Sequence, residues 1–261
     1  MNIDELSRAA APLLSGPRLA LMLFGALLVA CMLPAWACRR RDARTLGGVN
    51  VWVKPLKFMA ALALYAFTTA VLMLAAGDSG ALDAIAALLI VTATFEVGYI
   101  TLQASRAEAS HYNSSDALHM ALTAIMALGA VGLTASQLWL AIVIMDVRPD
   151  WQSSAALAAV VTGLVLTFVL ATVSGFMLGG RRPPAGAGMA VTGWHRRGDL
   201  RPAHFLGVHA QQCIPALGLL AGAVSSRAPV ALLAALTGVY LLAFAVAVRI
   251  EWRGGLSADM A

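Results

Sequence analysis

Apolar runs of about 20 residues, the length of helix that crosses a bilayer core, recur along this 261-residue chain with short polar connections between them. Composition agrees with that reading. Hydrophobic residues make up 60% of the chain and charged residues 12%, whereas a soluble domain carries about a quarter charged residues. The mean hydropathy is +0.80. The expected fold is an all-α integral membrane protein, a bundle of seven transmembrane helices forming a single domain over residues 1–261. Spans are expected at about 19–37, 58–76, 82–103, 116–145, 155–178, 204–224 and 229–248.

The connections carry the punctuation. Few cations precede the first run, so residues 1–18 make a poor signal-peptide leader. Arg39, Arg40 and Arg41 follow that run and resist translocation. The first helix is therefore expected to be retained. Trp52 suits an interfacial anchor and Pro55 the first turn of helix two. Gly77-Asp78-Ser79-Gly80 reads as a tight turn. Ser114, Ser115 or Asp116 is expected to cap helix four, whose length calls for a tilt or a break. Gly129, Gly132 and Ser136 offer small surfaces for close helix contact. Helix five holds only small and hydroxyl-bearing polar residues and reads as scaffold. The connection 179–202, rich in Gly, Pro and Arg, is the longest and is expected to be mobile. Pro215 is expected to kink helix six. Neither an internal repeat nor a pair of broken helices of the transporter kind is read from the chain.

Charge sets the orientation. Of the 18 Lys and Arg residues, 14 fall after helices one, three and five or in the tail. Cations stay on the cytoplasmic side, so the N-terminus is expected outside, the C-terminus in the cytoplasm, and the host membrane is expected to be the inner (plasma) membrane. The net charge of +5 then reflects topology and contact with anionic headgroups. The bilayer is the expected partner, and no nucleic acid is. Cys31, Cys38 and Cys213 are isolated, with no CxxC pair, and read as structural thiols.

The residues that carry chemistry begin with Glu96, a carboxylate inside an otherwise membrane-buried run, which is costly without a partner or a task. At 100° per residue, Thr92, Glu96, Tyr99, Gln103 and Arg106 share one helix stripe that leads into His111 and Asn113. Helices two, four and six start on the same expected side. They bring Lys54 and Lys57, then His119, then His204, His209 and Gln212. His209 and Gln212, three apart, share a face, whereas His204 and His209 diverge around the helix. Asp116, His119 and Thr123 form a further stripe. The expected ligand-binding set is Glu96, Tyr99, Gln103, Arg106, His111, Asn113, His209, Gln212 and Lys57, with Lys57 and Arg106 as charge partners of Glu96.

Four functions fit those residues. They satisfy one another and fix helix register. They hold a metal or cofactor: His119 and His209 about a haem b, or His111, His209 and Glu96 about a zinc ion, which would make a hydrolase possible. They form a proton-coupled carrier of small solutes in which Glu96 titrates. Or the basic loops serve a membrane sensor, an assembly factor or a lipid-binding partner protein. The leading expectation is a cytoplasm-facing polar pocket for a small ligand, metal or haem. In helix number the chain resembles the seven-span membrane hydrolases of the alkaline ceramidase and adiponectin-receptor type. Helix seven, 229–248, has no histidine, so no catalytic residue carries over. It has no lysine for a rhodopsin-like Schiff base either.

Overall fold

The computed structural model describes residues 11–111, 113, 115–179, 189, 192–195, 198–225 and 227–258, with 253–258 described by their backbone only. The apolar runs become helices: α1 (Gly16–Arg41), α2 (Val53–Leu72), α3 (Ala81–Arg106), α4 (Ala117–Val147), α5 (Ala155–Gly179), α6 (Arg201–Val208), α7 (Ala210–Val224) and α8 (Pro229–Ala258). Among the described residues, six helices are long and apolar enough to cross a membrane, and α6 with α7 makes a seventh if that bent pair is one span. The protein is a multi-pass, helical membrane protein.

The helices outrun the apolar stretches that announce them. Arg39, Arg40 and Arg41 occupy the last turn of α1, where cations complement the negative end of the helix dipole. Helix α2 starts at Val53 rather than 58, so Lys54 and Lys57 lie in its opening turns. Pro55 fits there because its missing N–H has no helical partner to lose. Hydropathy alone excludes these lysines from the span; proline geometry includes them.

The chain divides into two compact units, one of residues 1–46 and 50–136, the other of residues 47–49 and 137–261. In the first, α1 packs on α2 and α3, and α2 on α3. A Cβ at Gly25 would lie 2.6 Å from the Phe67 ring, so a larger residue there would displace that ring from between α1 and α2. Both ends of the unit are tied. At the start of α1, buried Arg18 reaches the Gly77 carbonyl and Asp78, the latter at 3.2 Å. At the other end, Arg44 donates to Asp42 and to the Ser105 carbonyl at 3.0 Å. The Arg44 guanidinium, helped by the Trp52 indole N–H at 2.9 Å, holds the Asp42 carboxyl well below the usual carboxylate range. Trp52 is 9% exposed, so its ring works as an internal clamp.

In the second unit α5 contacts α6, α7 and α8. Three glycines make this close. A Cβ at Gly207 would come within 2.9 Å of the Ala171 backbone nitrogen, one at Gly218 within 2.3 Å of the Ala159 Cβ, and one at Gly163 within 2.9 Å of the Pro215 ring. In the sixth apolar run Pro215, where a kink is expected, lies inside α7. The run breaks at His209, whose backbone leaves the helical region (φ −95, ψ 10), with a 56° bend between the halves. Both halves press against α5, and α5 supplies what the break removes. The Gln211 N–H, in the first turn of α7 and without a helical acceptor, donates to the Thr167 hydroxyl at 2.8 Å. A broken helix, not read from the sequence, is thus present.

Of the connection 179–202, Arg181, Arg182, Arg196 and Arg197 lie outside the described residues. Its last part is fastened by Asp199, 2% exposed. The Asp199 carboxylate accepts from the Arg201 guanidinium at 2.6 and 2.7 Å and from the His195 N–H at 2.7 Å.

Candidate functional site

The site in the first unit is built from the end of α3 outward. Helix α3 stops at Ala107, which takes the left-handed conformation (φ 58), the one non-glycine among the described residues to do so. The Glu108 N–H then reaches back to the Gln103 carbonyl at 2.9 Å and the Ala107 N–H to Ala104 at 3.1 Å. This is a Schellman ending, normally reserved for glycine. An alanine there costs about 1–2 kcal/mol, and such strain clusters where a fold must hold a particular shape. Its effect is to turn the chain back over α3. Gln103, 1% exposed, donates to the Ala109 carbonyl at 3.3 Å and to the Tyr99 hydroxyl at 3.2 Å. Asn113 donates to the same Ala109 carbonyl at 3.2 Å.

The reversed loop meets the start of α2. Lys54 Nζ donates to Ser110 Oγ at 2.6 Å and lies 3.0 Å from His111 Nδ1. The Phe58 ring underlies the Lys54 ammonium at 5.8 Å and tilts against His111 at 6.1 Å. Below, Tyr99, Ile100 and Met126 form an apolar cluster with Phe58, Phe95 and Leu122 packed on it.

Glu96 sits one turn deeper on the same stripe. It is 5% exposed, and no hydrogen bond reaches its carboxylate among the described residues. Lys54 is the cation that acts on it, and Tyr65 lies close enough to feel its charge. Helix α4 passes with a glycine at the same level: a Cβ at Gly129 would stand 3.9 Å from the Glu96 Oε1. Among the described residues Gln103 Oε1 is buried without a partner. This orphaned oxygen and the Glu96 carboxylate belong to one stripe of α3, with a lysine above them.

No family model, no curated protein and no solved structure matches this chain.

Of the expected site residues, Glu96, Tyr99, Gln103, His111 and Asn113 come together in this unit. Lys57 is half-buried on α2, and Arg106 is exposed at the end of α3. His119, in the first turn of α4, has Nδ1 2.6 Å from Asp116 and Nε2 3.5 Å from Glu108. Asp116 caps that helix by accepting from the His119 N–H at 2.9 Å. The His119 backbone N–H, then its ring, keep the Asp116 carboxyl below its ordinary value.

His209 and Gln212 belong to the second unit, 3.3 Å apart across one turn. The Phe205 ring lies 4.1 Å from His209, and Trp194 stands edge-on to Phe205 at 5.6 Å. His204 turns to Ser174 of α5 at 2.9 Å. The metal and haem expectation for His111, His119, His209 and Glu96 gains no support. Among the described residues no three His, Cys, Asp or Glu side chains gather as a metal site. Both ring nitrogens of His119 already face carboxylates, and His111 Nδ1 faces Lys54.

Ser110, Thr167 and Ser174 were not singled out from the sequence. Each is a small hydroxyl residue whose role depends on a partner 30 or more positions away, and nothing in the local pattern names that partner.

Proposed function

We propose that the protein is a seven-span carrier of the inner membrane, N-terminus outside, that couples movement of a small solute to a proton held and released by Glu96. The orientation is supported by the cation asymmetry, and the seventh span by reading α6 and α7 as one broken crossing. Broken spans with backbone ends at membrane depth are a recurrent feature of carriers. The observation that carries the reading is Glu96 itself: enclosed, without a hydrogen bond among the described residues, and under the influence of the Lys54 cation. An intramembrane carboxylate that serves only structure is expected to be paired or hydrogen-bonded. One left open exchanges its charge more easily.

Tyr99, Gln103, His111 and Asn113 line the route from Glu96 to the loop side in this reading. Lys54, held by Ser110 and His111, alternates as the charge partner when the proton leaves. The test is solute-dependent proton uptake into proteoliposomes under an imposed pH gradient, with a panel of small amino acids, sugars, organic acids and organic cations offered in turn, followed with an entrapped pH-sensitive dye. Wild type is expected to take up protons and Glu96→Gln to lose uptake while keeping its helical circular dichroism. Uptake by Glu96→Gln at the wild-type rate contradicts the proposal. Loss of fold in that variant assigns Glu96 to structure instead.

A further inference from the structure

The second unit carries a groove of about 500 Å³ between α5 and α8, lined by Val173, Met177, Phe244, Ala245, Val248, Arg249 and Trp252. On α8 these residues recur at helical spacing on one face, and Val173 and Met177 are one turn apart on α5. The wall is apolar except at one end. There Arg249 is exposed, and it forms no ion pair among the described residues. Trp252 follows one turn beyond, 40% exposed. From Phe244 to Arg249 is about 7–8 Å along the axis at 1.5 Å per residue.

Each part of this arrangement has a physical reading in a membrane. A tryptophan at the end of a span sits at headgroup level. An arginine near that level extends its charge toward the interface while its stem stays in the hydrocarbon. The apolar wall beneath them runs along the hydrocarbon, where the available occupant is an acyl chain. An exposed guanidinium above an acyl groove meets a phosphate, and basic sites between helices on the cytoplasmic side are where anionic lipids are held.

We infer that this groove binds one molecule of an anionic phospholipid, with a chain along Val173, Met177, Phe244 and Val248 and the phosphate on Arg249 beside Trp252. The inference rests on the membrane reading and is independent of Glu96, so either can fail without the other.

The test is native mass spectrometry of the full chain in mild detergent, with phosphatidylglycerol and phosphatidylcholine of identical chains offered together. One retained phosphatidylglycerol per chain is expected, preferred roughly fivefold, the discrimination that one cation near a membrane surface supplies. Arg249→Gln, at an exposed position, is expected to keep its fold and lose the preference. Ala245→Trp, which fills the groove and leaves Arg249 in place, is expected to retain less of either lipid. Equal retention of the two lipids by wild type overturns the inference, as does an unchanged preference in Arg249→Gln. So does protection by inorganic phosphate alone, which would make this a free-phosphate site. A dimer mass that disappears in Ala245→Trp would mean that a second copy of the chain covers the groove, and also overturns it.

Discussion

Glu96 in the first unit and Asp199 in the second are both carboxylates removed from water, 5% and 2% exposed, and their surroundings treat them in opposite ways. For Asp199, burial pushes the carboxyl up. The Arg201 guanidinium and the N–H groups of His195 and Arg201 overcome that push and leave it below the ordinary range. Glu96 has no hydrogen bond among the described residues. Removing an ion from water costs several kcal/mol even after relaxation. A fold that saturates one buried carboxylate and leaves another open is using them differently. The saturated one fastens a loop ahead of α6. The open one is the group to which the proposed carrier mechanism assigns the proton.

The same contrast extends to the neighbours. In the second unit two polar groups are answered by neutral hydroxyls, the Gln211 N–H by Thr167 and His204 by Ser174, while the Gln211 side-chain amide has no partner among the described residues. The first unit sets Lys54, Ser110 and His111 together above Glu96.

The contrast can be broken most severely at Asp199. Asp199→Asn is expected to lower stability by about 2–3 kcal/mol in thermal unfolding, below the 3–5 kcal/mol of a fully enclosed pair because Arg201 is 34% exposed. The sign with pH follows from a depressed folded value. The contribution is fully present above the ordinary aspartate range of about 4 and is lost as pH falls through the lower folded value. Wild type and variant should therefore converge in acid. A variant as stable as wild type at neutral pH would mean that saturation of Asp199 does not matter.

Next is Gly218→Ala, expected to destabilise by about 2 kcal/mol because its Cβ meets an immovable Ala159 Cβ. A neutral result would mean that α5 and α7 can separate and that the break is not held by close packing. Smallest is Thr167→Val, which leaves the Gln211 N–H unpaired. Hydrogen bonds between membrane helices average about 0.6 kcal/mol and reach about 1.7, and hydrogen exchange at Gln211 should speed up accordingly. Unchanged exchange would show that the broken helix has another acceptor.

Much of this was legible in the sequence. Apolar length gave the helices, because a bilayer enforces its thickness on any chain that crosses it. The α3 stripe was legible because helical periodicity is local: Glu96, Tyr99 and Gln103 are all buried, while Arg106 at its end is exposed. The cap of α4 was legible as one of Ser114, Ser115 or Asp116, and Asp116 accepts the His119 N–H. What escaped depends on distant partners. The break at His209 is packed by Gly207 against α5, by Gly163 of α5 against Pro215, and by the Thr167 hydroxyl, partners that the run itself does not name, whereas Pro215 was its conspicuous feature. Lys54 became the cation for Glu96 because α2 starts earlier than its apolar stretch, and Ser110 joined it because Ala107 adopts a conformation that sequence rarely announces.

The central claim is that Glu96 gains and loses a proton inside the first unit. Infrared difference spectroscopy of the membrane-embedded protein, stepped across pH, reads this directly from the carboxyl C=O stretch. A protonated-carboxyl band that changes with pH and is missing in Glu96→Gln is the predicted result. Identical difference spectra for wild type and Glu96→Gln throughout the stable pH range would contradict the account.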